Sequence, residues 1–137
     1  MQSRLNPYLN FKNNARAAMD FYKSVFGGEL TVTGFGDGGM AQDPAEKDLV
    51  MHSQLDSPGG YTLMASDTPK SMGEPRPNGT ISLSGDDAAA LEGYWKKLSA
   101  GATITMPLAK APWGDSFGML ADKFGVSWLV NIGAPRP

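Results

Sequence analysis

The chain carries one helix-and-strand pattern twice, 73 residues apart, and this repeat restricts its possible folds more than any other feature. Phe21, Tyr22 and Lys23 are answered by Tyr94, Trp95 and Lys96, Val25 by Leu98, and Gly28 by Gly101. The strand ahead of each helix repeats at a spacing one residue longer, so Leu9 answers to Leu83 and Asn6 to Thr80. A repeat of this size is a duplicated module, and each copy is expected to bury its apolar face against the other.

At 137 residues the chain fits one domain, large enough to bury roughly two thirds of its unfolded surface. Its 12 basic and 14 acidic residues leave a formal charge of −2, and no basic run exceeds two, so no nucleic-acid partner is expected. Without cysteine there can be no disulfide, thiolate metal site or cysteine nucleophile. The first residues lack the apolar core of a signal peptide, and no stretch approaches the ~20 apolar residues of a membrane span. A cytoplasmic protein with no membrane partner is the expectation.

Residues 7–11 alternate as a strand does, with Pro7, Leu9 and Phe11 on one side and Asn6, Tyr8 and Asn10 on the other. Asn13 and Asn14 suit a helix cap. Ala18, Phe21, Tyr22 and Val25 then recur at helical spacing over residues 15–26, and two glycines stop the helix. Residues 29–35 predict a strand, 36–46 a glycine-rich loop, and 49–55 with 61–66 a hairpin turning at residues 57–60. The second pass predicts a strand at 80–84, a helix from Asp86 and Asp87 to about Gly101, and strands at 102–106, 117–121 and 127–132. The order is βαβββ, twice: module one spans about 4–67, a proline-rich linker 68–79, and module two about 80–133.

A strand with one side packed on helices places its apolar residues there. That side receives Leu9, Phe11, Met51, Leu63, Ala65, Ile81, Leu83, Val130 and Ile132. The other side gathers Asn6, Tyr8, Asn10, His52, Gln54, Thr62, Met64, Thr80, Ser82, Leu129 and Asn131. Hydroxyls, amides, one imidazole and a few apolar groups together suit a small-molecule pocket. A solvated or dimer-covered sheet surface is the competing reading.

The paired modules resemble the vicinal oxygen chelate superfamily of glyoxalases, bleomycin-resistance proteins and dioxygenases, and most closely its PhnB-like branch. Residues 7–11 (PYLNF), 18–28 (AMDFYKSVFGG), 50–54 (VMHSQ), 113–118 (WGDSFG) and 122–131 (DKFGVSWLVN) carry the likeness. It implies an α+β fold, with two βαβββ modules forming a cup-shaped mixed sheet, helices on its outer face, and commonly a homodimer. Metal-using members place their ligands on the first and last strands of each module. Those positions are here Asn6 (or Tyr8, if the register slips), Met64, Thr80 and Asn131. A divalent transition metal prefers imidazole, carboxylate or thiolate. No acidic residue is expected in the middle of a strand, so neither metal nor cofactor is expected.

Two motifs point away from the chemistry they spell. Residues 34–39 satisfy G-x-G-x-x-G but precede no helix, which dinucleotide binding requires. Residues 114–118 satisfy G-x-S-x-G, yet no histidine follows Ser116 to complete a hydrolase triad. Asn78 opens a glycosylation triplet that matters only in a secreted protein.

His52 is the one candidate catalytic residue, as general base or ligand partner, because histidine ordinarily titrates near neutral pH. Its bland alternative is a histidine satisfied by neighbouring hydroxyls. Trp113, on a loop, suits either ligand stacking or a dimer contact. Trp95 and Trp128 fit core positions. The candidate ligand-binding set is Tyr8, Asn10, His52, Gln54, Met64, Thr80, Trp113 and Asn131. Three functions follow: a metal-free binder of a small, partly apolar molecule; an enzyme of the same superfamily, with His52 as base or with a metal in an unrecognised site; or a structural or partner-binding dimer.

Overall fold

The structure, a computed structural model, describes residues 5–37 and 43–134. The chain divides into two compact units, Met1–Asn78 and Gly79–Pro137. Each holds one four-stranded mixed sheet and one long helix.

In the first unit the elements run β1 (Tyr8–Phe11), α1 (Ala15–Phe26), β2 (Glu29–Gly34), β3 (Val50–Asp56) and β4 (Thr62–Asp67). The sheet order is β1-β4-β3-β2, with β1 parallel to β4 and the other pairs antiparallel. The apolar stripe of α1, including Ala18, Met19, Tyr22 and Val25, lies on β2, β3 and β4. Against it sit Leu9, Phe11, Val50, Leu55, Leu63 and Ala65, all buried. Burying one such side chain is worth roughly 1.5–3 kcal/mol, so this seam is a major source of the unit's stability.

The second unit repeats the order with β5 (Thr80–Gly85), α2 (Ala88–Leu98), β6 (Thr103–Lys110), β7 (Ser116–Ala121) and β8 (Ser127–Ile132). Its sheet runs β5-β8-β7-β6, and α2 packs on β5 and β8. Leu83, Leu91, Leu98, Leu120, Trp128, Val130 and Ile132 form its core. The expected βαβββ order holds in both units.

The differences from the sequence reading have local causes. Met51, expected against the helix, is half-buried, while Val50 is buried at 1% exposure. The ladder jumps from Thr33–His52 to Gly34–Val50, so Met51 is the extra residue of a β-bulge and the inward alternation resumes at Val50. Asn14 stands at the cap position of α1 but makes no side-chain cap bond. Instead the buried carboxylate of Asp67, at the end of β4, accepts from Ala15 N at 2.9 Å and from Val50 N at 2.9 Å. β6 runs on through Pro107 to Lys110, past the expected end at Met106, because an edge strand tolerates a proline and its pairing with β7 is bulged there. Short 3-10 turns occupy Pro44–Glu46 in the loop and Lys70–Met72 in the linker. The last two glycines of the G-x-G-x-x-G stretch, and residues 1–4, lie outside the described residues.

Candidate functional site

Register decides which side chains meet, because cross-strand neighbours share a face. In the first sheet Tyr8 lies beside Met64 and Asn10 beside Ser66. Gln54 flanks Met64 on its other side, and Thr33 flanks His52. Leu9, Leu63, Ala65 and Leu55 alternate onto the helix face, so Tyr8, Asn10, His52, Gln54 and Met64 gather on the face turned away from α1. All five are half-buried or exposed.

Tyr8 and His52 form the centre of this face. The Tyr8 hydroxyl lies 3.4 Å from His52 Nδ1, and the two rings are 5.9 Å apart at 27°. At that length the hydrogen bond is weak, and the near-parallel rings define the pair as much as the bond does. Among the described residues Tyr8 is the one hydrogen-bond partner of the imidazole, and neither of the ion pairs found there involves it or sets a carboxylate on it. An imidazole without such a partner can bind through its nitrogens, but nothing orients it as a strong general base.

Gln54 is held more firmly. Its Nε2 donates to Asp56 Oδ2 at 2.9 Å and Oδ1 at 3.1 Å, while the Thr62 hydroxyl donates to Asp56 Oδ1 at 3.0 Å. The Gln54 amide is thereby oriented with its nitrogen toward Asp56 and its oxygen away from it. Sequence reasoning missed Asp56, although residues two apart on a strand share a face and that spacing was legible.

The second sheet divides the other candidates. Asn131 sits between Ser84 and Phe117, whereas Thr80 pairs with Ser127 at the opposite end of the ladder. Four residues of strand separate the two levels, about 13 Å, so Thr80 and Asn131 share a face but do not adjoin. Asn131 Nδ2 donates to Asp115 Oδ2 at 3.0 Å. Around that pair opens a cleft of about 430 Å³, lined by Ser84, Asp86, Asp115, Asn131 and Gly133 among others. Asp115 reaches it from a turn closed by Ala111 N to Asp115 O at 2.7 Å. Trp113, in the same turn, is 61% exposed and meets Phe117 edge-on at 5.5 Å. Trp128 is core, its Nε1 donating to the buried Asp122 at 2.9 Å, and Trp95 is half-buried. Sequence reasoning missed Asp115 too, and here no local spacing pointed to it.

A family model described as the Glyoxalase/Bleomycin resistance protein/Dioxygenase superfamily matches residues 4–130. The chain belongs to that superfamily. Protein PA1353 of Pseudomonas aeruginosa, a solved structure, is 37% identical, with a TM-score of 0.81 over 98% of this chain and all of that one. A structure described as a putative 3-demethylubiquinone-9 3-methyltransferase, PhnB protein, from Bacillus cereus superposes with a TM-score of 0.73 at 23% identity, covering 96% and 100% of the two chains, and shows likeness of fold. The protein YjdN of Escherichia coli (strain K12) is 29% identical over 97% of each chain.

Superfamily resemblance places metal ligands at Asn6 or Tyr8, Met64, Thr80 and Asn131. The donors there are carboxamides, a phenol, a thioether and a hydroxyl, and the Asn131 nitrogen is already engaged by Asp115. No group of three or more His, Cys, Asp or Glu side chains suited to a metal ion occurs among the described residues. This set does not fit a divalent transition metal, which needs about three stronger protein donors. No helix of the described residues is long and apolar enough to cross a membrane.

Proposed function

We propose that this superfamily member binds a small, partly apolar molecule through the face of the first sheet turned away from α1, with no catalytic metal. The observation that carries the reading is the Tyr8–His52 pair, an exposed and a half-buried ring 5.9 Å apart on one sheet face. Met64, on the strand between them, adds an adaptable apolar surface. Gln54, clamped by Asp56, adds a fixed acceptor. Shape, stacking and a few hydrogen bonds are enough for sequestration or sensing. His52 is a binding group here, since no carboxylate orients it for proton transfer.

Calorimetric titration with small aromatic probes, phenol and indole first, tests the reading. Binding that weakens in Tyr8→Phe and His52→Ala supports it. Undiminished binding in both variants removes the proposed face from any role.

The reading includes a cytoplasmic homodimer. Ile104 and Met106, 44% and 47% exposed on the edge strand β6, support self-association, because an exposed apolar edge is an adhesive surface. Light scattering tests it: a mass of one chain at micromolar concentration contradicts the dimer.

A further inference from the structure

The cleft in the second unit has a hydrogen-bonding polarity of its own. A free asparagine side chain can turn either its donor or its acceptor toward a ligand. Asn131 has that choice narrowed, because its amide nitrogen donates to Asp115 Oδ2 at 3.0 Å and the bond holds its oxygen as the opposite, accepting end. Asp115 is itself fixed by its turn, and its carboxylate lies 3.6–3.8 Å from the place a Cβ on Gly133 would take.

The remaining lining follows the same sign. Asp86 contributes a second carboxylate and Ser84 a hydroxyl, and among the described residues no lysine or arginine lines the cleft. A volume of about 430 Å³ lies within the range of small-molecule sites. Ala134, Gly85 and Gly133 give the cleft its apolar wall, and Phe117, paired with Asn131 across the ladder, stands beside it at the same level of the sheet.

We infer that this cleft selects a ligand bearing a protonated amine on a small apolar body, and that Asp115 is the specificity-determining residue, acting by fixing Asn131 as an acceptor. An ammonium group donates only, so it matches both carboxylates and the amide oxygen at once. A carboxylate ligand would meet two like charges, which the neutral donors of Ser84 and Asn131 do not offset. The inference rests on the reading that the chain binds small molecules, and it does not require the Tyr8–His52 face.

NMR titration at low ionic strength with benzylammonium, benzyl alcohol and benzoate tests it, following the Asn131 side-chain amide and the Gly133 backbone amide. Benzylammonium is expected to bind at least about tenfold more tightly than benzyl alcohol, the worth of one charge-assisted hydrogen bond, and benzoate not to bind. Asp115→Asn should erase the preference between the probes, a change that mere loosening of the turn would not produce. The exposed Asp86→Asn, which leaves the fold alone, should reduce it several-fold. Equal or tighter binding of benzyl alcohol or benzoate by the unaltered protein overturns the inference, as does an unchanged preference in both variants. If benzyl alcohol shifts Tyr8 and His52 while benzylammonium leaves the cleft unmoved, the amine inference falls and binding at the first sheet stands.

Discussion

Asn78 closes the free edge of β1 by standing in for a strand. Its Oδ1 accepts from Asn10 N at 2.8 Å and its Nδ2 donates to Asn10 O at 3.1 Å. β1 is an edge of its sheet, so without Asn78 this stretch would present an unpaired donor and acceptor. The same amide nitrogen is the one a glycosylation triplet would modify, and here it belongs to the fold. Asn78→Ala should lower stability by about 1–2 kcal/mol, the loss of two hydrogen bonds at a part-buried edge. Urea denaturation would read it as a lower midpoint with an unchanged slope.

Each unit also relies on one buried aspartate. Asp67, 4% exposed, ties the start of α1 to the start of β3. Asp122, also 4% exposed, accepts from Phe124 N, Val126 N and Trp128 Nε1. Replacing Asp67 by Asn keeps one acceptor and sets a donor against a backbone N–H. The expected cost is about 2–3 kcal/mol, because charge-assisted bonds are among the stronger ones. Asp122→Asn should cost a similar amount and shift the Trp128 indole resonance, whereas exposed Asp20→Asn should leave the melting temperature within a degree or so.

The sequence was most readable where local pattern and burial agree. The stripe of α1 and the two-residue alternation of β8 gave their limits correctly, since each element buries one face along its whole length. Reading failed where a residue answers to something distant or irregular. Val50 displaces Met51 through a bulge, which alternation cannot anticipate. Asp67 reaches the α1 terminus from 52 residues away, and so it supplanted the neighbouring Asn14 as partner of that helix end. Five of the candidate site residues share one face because period two is reliable, but the clamp on Asn131 comes from a turn 16 residues back. Thr80 and Asn131 share a face and both match ligand positions of the resembled family, but neither property fixes their distance along a strand.

Gly118 is a packing requirement. A Cβ there would lie 2.8 Å from Leu108 Cα and 2.8 Å from the Trp95 ring. Backbone and a large ring cannot both withdraw cheaply. Gly118→Ala should therefore destabilise the protein by about 1–3 kcal/mol, in line with overpacked cores. Altered tryptophan fluorescence in the native state would show that Trp95 had moved, and an unchanged spectrum with full stability would contradict the close approach.

Tyr8→Phe and His52→Ala separate stacking from hydrogen bonding on the first sheet. Tyr8→Phe keeps the ring and removes a weak 3.4 Å bond, so indole affinity should fall only about two- to fivefold. His52→Ala removes a ring face and should cost about tenfold, the worth of one aromatic contact. The reverse order, measured by calorimetry, would show that the hydroxyl and not the ring pair governs binding.

Metal-free binding of a small molecule, as proposed, can be measured directly. Calorimetric titration of protein exhaustively treated with a chelator, with elemental analysis before and after, tests it most directly. Well under one equivalent of zinc, nickel, manganese or iron per chain is expected, with the same affinity for indole on both sides of the treatment. One equivalent of such a metal, whose removal abolishes binding and whose return restores it, would contradict the account.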